Sequence, residues 1–274
     1  MQERNEKGAL TMLDTIAGVV LDMDGVLWKG DEALPGMTAL FDHLSARNIP
    51  FALATNNSAK SPSDYVVKLA QFGVPKVDKA RIITSGVAAV EYLKATYPKD
   101  TPVHVLGGDG LKGLVVAAGF PLHYLDRTPA KVVLAGLDMR VTYDKLRRAT
   151  LLIRSGADFI GTNDDATFPT PEGLVPGAGS LLALLRTATG REPLLMGKPS
   201  AAMFAAALKI VGTPPEKTLM IGDRLDTDIV GAAKAGLKTA LVLTGVSSRE
   251  DADRAEVKPD AIYADLPALL TVWK

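Results

Sequence analysis

Asp22 and Asp24 follow directly on the apolar run Val19-Val20-Leu21, and Gly25 comes next. A run that is apolar on both faces reads as a buried strand of a parallel sheet. Two carboxylates at the end of such a strand are costly to bury without a cation or protons. At i and i+2 they leave the same face of the strand and can converge on one ion. Gly25 lets the backbone turn tightly and approach a ligand. An acidic turn capping the next helix is the ordinary reading of a single Asp, but it accounts poorly for two carboxylates and a Gly in this place. Three other apolar runs end in polar groups: Thr55 after Ile49–Ala54, Lys198 after Pro193–Met196, and Asp223 after Thr218–Ile221. Singly these read as a helix N-cap, a solvated loop lysine and a cap for a helix near Asp226. Together they suit phosphate chemistry. Asp22, Asp24 and Asp223 offer hard oxygen ligands to Mg²⁺. A carboxylate can attack phosphorus and split hydrolysis into two steps. Lys198 can neutralise phosphoryl oxygens, and Thr55 with the N–H groups after it can bind one of them.

The elements that must position these groups alternate in type. After the opening strand, Met37 to Asn48 reads as an amphipathic helix, and Ser61 with Pro62 starts another through Leu69. Ile82-Ile83 is a brief strand followed by a helix to about Ala95. This alternation implies a parallel sheet whose strand-to-helix loops gather at one edge, where ligands bind. Tyr97 to Pro102 reads as a linker. Beyond it, strands are predicted at Val103–Leu106, Pro121–Leu125, Lys131–Leu137 and Phe159–Gly161, with helices at Leu111–Ala118 and Tyr143–Ser155. Thr162–Gly179 reads as a loop without periodicity. A helix over Ala178–Thr189 then restarts the first rhythm, with the Pro193–Met196 strand, a helix at Ser200–Val211, and strands at Thr218–Ile221, Thr239–Leu243 and Ala261–Tyr263. The expected fold is α/β, with a discontinuous domain (11–97 and 178–274) and a second α/β module inserted over 98–177.

Composition narrows the function. With 274 residues the chain can bury one large core or two smaller ones. Lys+Arg and Asp+Glu balance at 31 each, so no overall field favours nucleic acid or an anionic membrane. The absence of Cys excludes disulfides, thiolate metal sites and a Cys nucleophile. His43, His104 and His123 lack metal-ligand spacing and read as structural. No apolar stretch reaches membrane-spanning length and the start of the chain lacks a signal-peptide core, so a cytoplasmic protein is expected, frayed from Met1 to about Leu10.

Gly108-Asp109-Gly110-Leu111-Lys112-Gly113 fits the GxGxxG dinucleotide pattern, with Asp126 ending the following strand. It falls inside the expected insertion rather than at the start of the main sheet, where a tight turn into a helix is the plainer reading. An NAD-binding oxidoreductase and a non-catalytic phosphoacceptor or binding module are the rival classes.

Asp22-Met23-Asp24-Gly25-Val26, Thr55-Asn56-Asn57, Gly197-Lys198-Pro199 and Gly222-Asp223-Arg224-Leu225-Asp226-Thr227-Asp228, in that order, resemble the four motifs of the haloacid dehalogenase superfamily. The resemblance runs from about Ile16 to Tyr263. It points to subfamily IIA, the branch of NagD-type sugar or nucleotide phosphatases, 4-nitrophenyl phosphatases, phosphoglycolate phosphatase and pyridoxal phosphate phosphatase. It implies a Rossmann-like parallel-sheet core with an inserted α/β cap of the C2 type, since Asp24 to Thr55 is too short for the alternative helical cap. The activity it implies is Mg²⁺-dependent hydrolysis of small phosphomonoesters. Asp22 would be the nucleophile and Asp24 the general acid/base. Mg²⁺ would be held by Asp22, the Asp24 carbonyl and Asp223, with Asp228 in support. Thr55 and Lys198 would hold the phosphoryl group. Gly25, Asn56, Asn57 and Arg224 would contact substrate, as would Thr162, Asn163, Asp164 and Phe168 in a specificity loop over Gly161–Pro169. Pyridoxal phosphatases carry a His at the position of Phe168, which argues against that substrate. A haloacid dehalogenase proper has no use for Asp24 or Asp223. The resemblance also implies a homodimer formed through the cap.

Overall fold

The computed structural model describes residues 12–58, 60–124, 130–170 and 173–273, without the side chains of Phe168, Pro169, Thr170 and Leu174. The expected fraying of Met1–Leu10 and the role of Asp126 lie outside these residues. In chain order the strands are β1 (Gly18–Leu21), β2 (Trp28–Lys29), β3 (Glu32–Ala33), β4 (Phe51–Thr55), β5 (Ile82–Thr84), β6 (Val103–Leu106) and β7 (Val132–Ala135). They continue as β8 (Asp158–Gly161), β9 (Thr167–Thr170), β10 (Gly173–Pro176), β11 (Leu194–Leu195), β12 (Thr218–Gly222), β13 (Lys238–Val242) and β14 (Ala261–Tyr263).

Two compact units divide the chain. The first takes the chain up to Thr55, Pro62–Ile83, and everything from Met203 on. Its six-stranded sheet has the order β14-β13-β12-β1-β4-β5. β1 lies between β12 and β4 and is parallel to both. All four of its residues are buried, as expected for a strand flanked on both edges and covered on both faces. The helix Met37–Ala46 buries Met37, Leu40, Phe41 and Leu44, a stripe at i, i+3, i+4 and i+7. Each such side chain contributes roughly 1.5–3 kcal/mol on leaving water. A feature not expected from sequence is the antiparallel pair β2–β3, which follows Asp24 directly.

The second unit comprises Asn56–Ser61 and Thr84–Ala202. Its parallel sheet has the order β11-β8-β7-β6. The strand expected to rejoin the first sheet at Pro193–Met196 instead pairs Leu194 and Leu195 with Ile160 and Gly161 of β8. The helix Ala178–Thr189 also belongs here, because Leu182 and Leu185 pack with Leu106, Val133, Ile153 and Phe159. Two residues of strand and an apolar helix face could serve either sheet by pattern alone; packing partners decide, and the unit is accordingly wider than the segment 98–177. Two further corrections concern local structure. Thr162–Gly179 is not all loop, since β9 and β10 form an antiparallel hairpin with Phe168 opposite Val175. The strand expected from Pro121 is reduced, among the described residues, to a single bridge between Leu122 and Val103. Gly108 caps the helix Asp109–Ala117, so the GxGxxG pattern is a turn into a helix of this unit. Among the described residues no helix is long and apolar enough to cross a membrane.

Candidate active site

In the first unit, the carboxyl ends of the central strands carry the acidic residues. The register pairs Leu21 with Ile221, and the Asp22 N–H donates to the Ile221 carbonyl at 2.9 Å. Asp22 and Asp223 therefore leave adjacent parallel strands at the same edge. Asp228 joins them from the turn Leu225–Ile229, and oxygens of the three carboxylates all lie within 4.8 Å of one another. The three residues are 7%, 1% and 0% exposed. At that separation and an effective dielectric of about 20, each ionised pair costs at least about 3 kcal/mol. Such a cluster is stable only with a cation or with protons, and its all-oxygen donor set fits a hard divalent ion.

Fixed donors orient Asp223 and Asp228. The Val246 N–H donates to Asp223 Oδ2 at 2.8 Å. Asp228 Oδ2 accepts from the N–H groups of Asp223 and Arg224, both at 3.1 Å. Glycines make the space. Gly25 sits at φ +88, and a Cβ there would come within 2.5 Å of Asp223 Oδ2. A Cβ on Gly245 would collide with the same oxygen, and one on Gly222 with the Asp228 side chain. The Thr244 hydroxyl closes the turn by donating to the Gly25 carbonyl at 2.6 Å. The segment Thr244–Ser247 escaped the sequence reading. The signal was present, since Thr244-Gly245 closely follows an apolar strand just as Asp22 and Asp223 do.

Asp24 is not part of this carboxylate cluster. The i, i+2 spacing suggested that it would join Asp22 on one ion, but Asp24 is exposed while Asp22 is buried, and the cluster is completed by Asp223 and Asp228 instead. The chain turns after Met23, whose carbonyl accepts from Leu27 N–H at 2.8 Å, and Asp24 bridges to Trp28. Trp28 Nε1–H donates to Asp24 Oδ1 at 2.9 Å. Tyr65 is buried nearby, and burial first, then the Asp24 carboxylate, push its phenol above the ordinary range against a smaller pull from Thr55. Thr55 ends β4 and is buried. Arg224 directs its guanidinium to Asp226 at 3.1–3.2 Å.

The second unit gathers another set. Asn56 donates from Nδ2 to the Lys198 carbonyl at 3.0 Å and to Asp165 Oδ1 at 3.3 Å. Its own carbonyl accepts from the Ser85 hydroxyl at 2.6 Å and from Asn163 Nδ2 at 2.7 Å. Asn163 Oδ1 then accepts from the Asp165 N–H. Thr162 is fully buried, and its carbonyl accepts from the Gly197 N–H at 2.6 Å. A Cβ on Gly197 would press on Asn56 Oδ1 and the Thr162 carbonyl, so Gly is what lets these loops meet. Asn56, Thr162, Asn163 and the buried Lys198 are thus brought together in one network. Ser85 is a member that sequence reasoning missed. Asn57, next to Asn56 in the chain, is half-buried. Asp164 stands apart in an ion pair with Arg186 at 2.8 Å. The backbone of Phe168 lies in β9, and its side chain lies outside the described residues.

Comparison with known proteins finds relatives over nearly the whole chain. Residues 19–121 match the family model described as haloacid dehalogenase-like hydrolase, and residues 195–269 match a second, HAD-hydrolase-like model. An acid sugar phosphatase of Staphylococcus epidermidis is 36% identical over 248 residues, which span 90% of this chain and 94% of that protein. The crystal structure of a 4-nitrophenylphosphatase from Thermotoga maritima superposes with a TM-score of 0.89 at 36% identity, covering 96% of this chain and 99% of the other. A glycerol phosphate phosphatase from Mycobacterium tuberculosis, solved in complex with magnesium, gives 0.87 at 33% identity, covering 94% and 77%.

Proposed function

The chain belongs to the haloacid dehalogenase-like hydrolases and is a phosphatase, and from that premise we propose how its own residues divide the work. The observation that carries the proposal is the buried trio Asp22, Asp223 and Asp228 at the carboxyl ends of parallel strands. A carboxylate that ends the central strand is available as a nucleophile. In the first step an Asp22 oxygen bonds to phosphorus as the bond to the leaving oxygen breaks, and Asp24 gives its proton to that oxygen. In the second, Asp24 takes a proton from water as the water oxygen attacks phosphorus, which releases phosphate and restores Asp22. Mg²⁺ would be held by the Asp22 and Asp223 carboxylates and the Asp24 carbonyl, with Asp228 in support, and when bound it offsets charge on the phosphoryl oxygens. The Thr55 hydroxyl and Lys198 ammonium hold the same oxygens.

Gly25 admits the phosphate beside the backbone, and Asn57 contacts it. Asn56 and Asn163, whose amide N–H groups donate to protein partners, hold the loops of the second unit in shape. Thr162, Asp164, Arg224 and Phe168 complete the proposed substrate contacts, with the Thr162–Phe168 segment selecting the leaving group. The relatives' names span a sugar phosphatase, a 4-nitrophenylphosphatase and a glycerol phosphate phosphatase, which supports small phosphomonoesters as the substrate class. Self-association through the second unit is part of the same proposal, and light scattering tests it.

Release of 4-nitrophenol from 4-nitrophenyl phosphate tests the mechanism. Turnover should require Mg²⁺, stop with EDTA and vanish in Asp22→Asn with the circular dichroism spectrum unchanged. Acid quenching during turnover should trap labelled phosphate on the wild-type chain. Turnover that survives both EDTA and Asp22→Asn would overturn the assignment.

A further inference from the structure

The mechanism uses Asp24 and leaves unexplained how an exposed carboxylate on a turn is kept in one orientation. Trp28, four residues on, is fully buried and tied twice to the Asp24 segment. Its carbonyl accepts from the Gly25 N–H at 2.8 Å, and its indole N–H donates to Asp24 Oδ1 at 2.9 Å. The indole has little freedom of its own. It stacks on Tyr65 with centroids 6.1 Å apart and planes 14° from parallel, and Phe72 packs beside it at 6.0 Å. The Lys68 ammonium lies 4.6 Å from the ring centroid, held there by the Gly30 carbonyl at 2.7 Å. Four side chains from β2 and the helix Pro62–Gln71 with its C-terminal flank are therefore arranged around a single N–H.

We propose that Trp28 is the positioning residue for Asp24, and that its N–H fixes which carboxyl oxygen exchanges the proton with the leaving group and with water. The inference rests on the reading of Asp24 as general acid/base. An indole N–H donates and cannot accept. The oxygen facing it, Oδ1, is therefore the acceptor in either protonation state, and the transferable proton is confined to Oδ2. When the bond from phosphorus to the leaving oxygen breaks, the proton passes from Oδ2 to that oxygen, and in the next step Oδ2 receives the proton of water. Without the N–H the carboxyl rotates freely, and the acid proton spends part of its time on the oxygen that faces away from the reaction.

The test compares leaving groups, because only a poor one needs the proton. kcat/KM is the right quantity, since it reports steps up to the first irreversible one and excludes dephosphorylation. In Trp28→Phe, kcat/KM for glycerol phosphate should fall by about tenfold or more, while that for 4-nitrophenyl phosphate, whose leaving group departs as a stable anion, should stay within about twofold. Site-specific replacement of Trp28 by 3-benzothienylalanine removes the N–H with the ring shape preserved. It should reproduce the split even if Trp28→Phe folds poorly. Equal losses on both substrates, or no loss, in the benzothienyl variant would overturn the proposal. Asp24→Asn serves as the reference. If it shows the split and the Trp28 variants do not, the positioning role alone is wrong. If Asp24→Asn itself fails to discriminate, the acid/base reading falls and this inference with it.

Discussion

At the scale of single residues, the site depends as much on missing side chains as on carboxylates. Asp223 is hemmed by Gly25 and Gly245, and an added Cβ at either meets its Oδ2. The two glycines answer different needs. Gly25 also requires φ +88, which L side chains rarely adopt, whereas Gly245 is needed for close approach alone. Gly245→Ala is therefore the cleaner test, because it displaces the Asp223 side chain at a backbone conformation that Ala can adopt. We expect Mg²⁺ affinity, measured by calorimetry, to fall by about 10- to 100-fold with little change in secondary structure, as for other residues that orient a metal ligand. Asp228→Asn should cost less, since an amide oxygen can still accept from the Asp223 and Arg224 N–H groups. Unchanged affinity in Gly245→Ala would mean that Asp223 does not bind the ion.

At the scale of elements, the sequence was most legible where one pattern had a single interpretation. Val103–Leu106 and Ala178–Thr189 form a strand and a helix at the expected bounds, because short β-branched runs and long Leu/Ala periodicity leave little choice. The acidic strand ends were legible through recurrence: two carboxylates and a Gly follow one buried strand, and another Asp follows a second. What could not be read were features settled by partners distant in the chain. β11 is two residues long, and only its pairing with β8 tells which sheet it joins. The β9–β10 hairpin carries Pro169 and Pro176, which read as breakers but are tolerated in a two-stranded ladder open on both sides. Trp28 drew no reading, since nothing local announces that its N–H meets Asp24. β6 contributes a prediction of its own. His104 is buried in the second unit, and burial holds its pKa below the ordinary value near 6.5, with the His123 carbonyl pulling it up and the charges of His123 and Arg148 pushing it down. Below that ordinary value the unfolded chain binds more protons than the folded one, so this contribution to stability is complete above about pH 6.5 and is lost as pH falls through the window beneath. Urea midpoints between pH 7.5 and 5.5 should therefore decline more steeply for wild type than for His104→Gln. Parallel declines would remove His104 from the account.

At the scale of the whole molecule, the formal net charge is zero, so long-range steering does little to choose among phosphorylated substrates. Discrimination has to come from local contacts. The carboxylates proposed to react and to bind metal all lie in the first unit, and the Thr162–Phe168 segment lies wholly in the second. The start of the helix Ala178–Thr189 braces that segment: Gly177 N–H and the Ser180 hydroxyl donate to the Ala166 carbonyl at 2.9 and 2.7 Å, and Gly179 N–H donates to that of Asp165. A hairpin that grows from a braced base can change at its tip without disturbing the rest of its unit. Replacing Thr167–Pro176 by the corresponding segment of the Thermotoga maritima 4-nitrophenylphosphatase should therefore change ranking and not chemistry. The ratio of kcat/KM between a sugar phosphate and 4-nitrophenyl phosphate should move by about tenfold, the scale of a few gained or lost contacts to a leaving group. Stabilisation by Mg²⁺ should persist in the chimera, about 2.7 kcal/mol at a hundred times the dissociation constant, because its ligands are untouched. A chimera that keeps the original ranking would place selectivity elsewhere in the chain. One that loses the Mg²⁺-dependent rise in melting temperature would show that the hairpin supports the metal site.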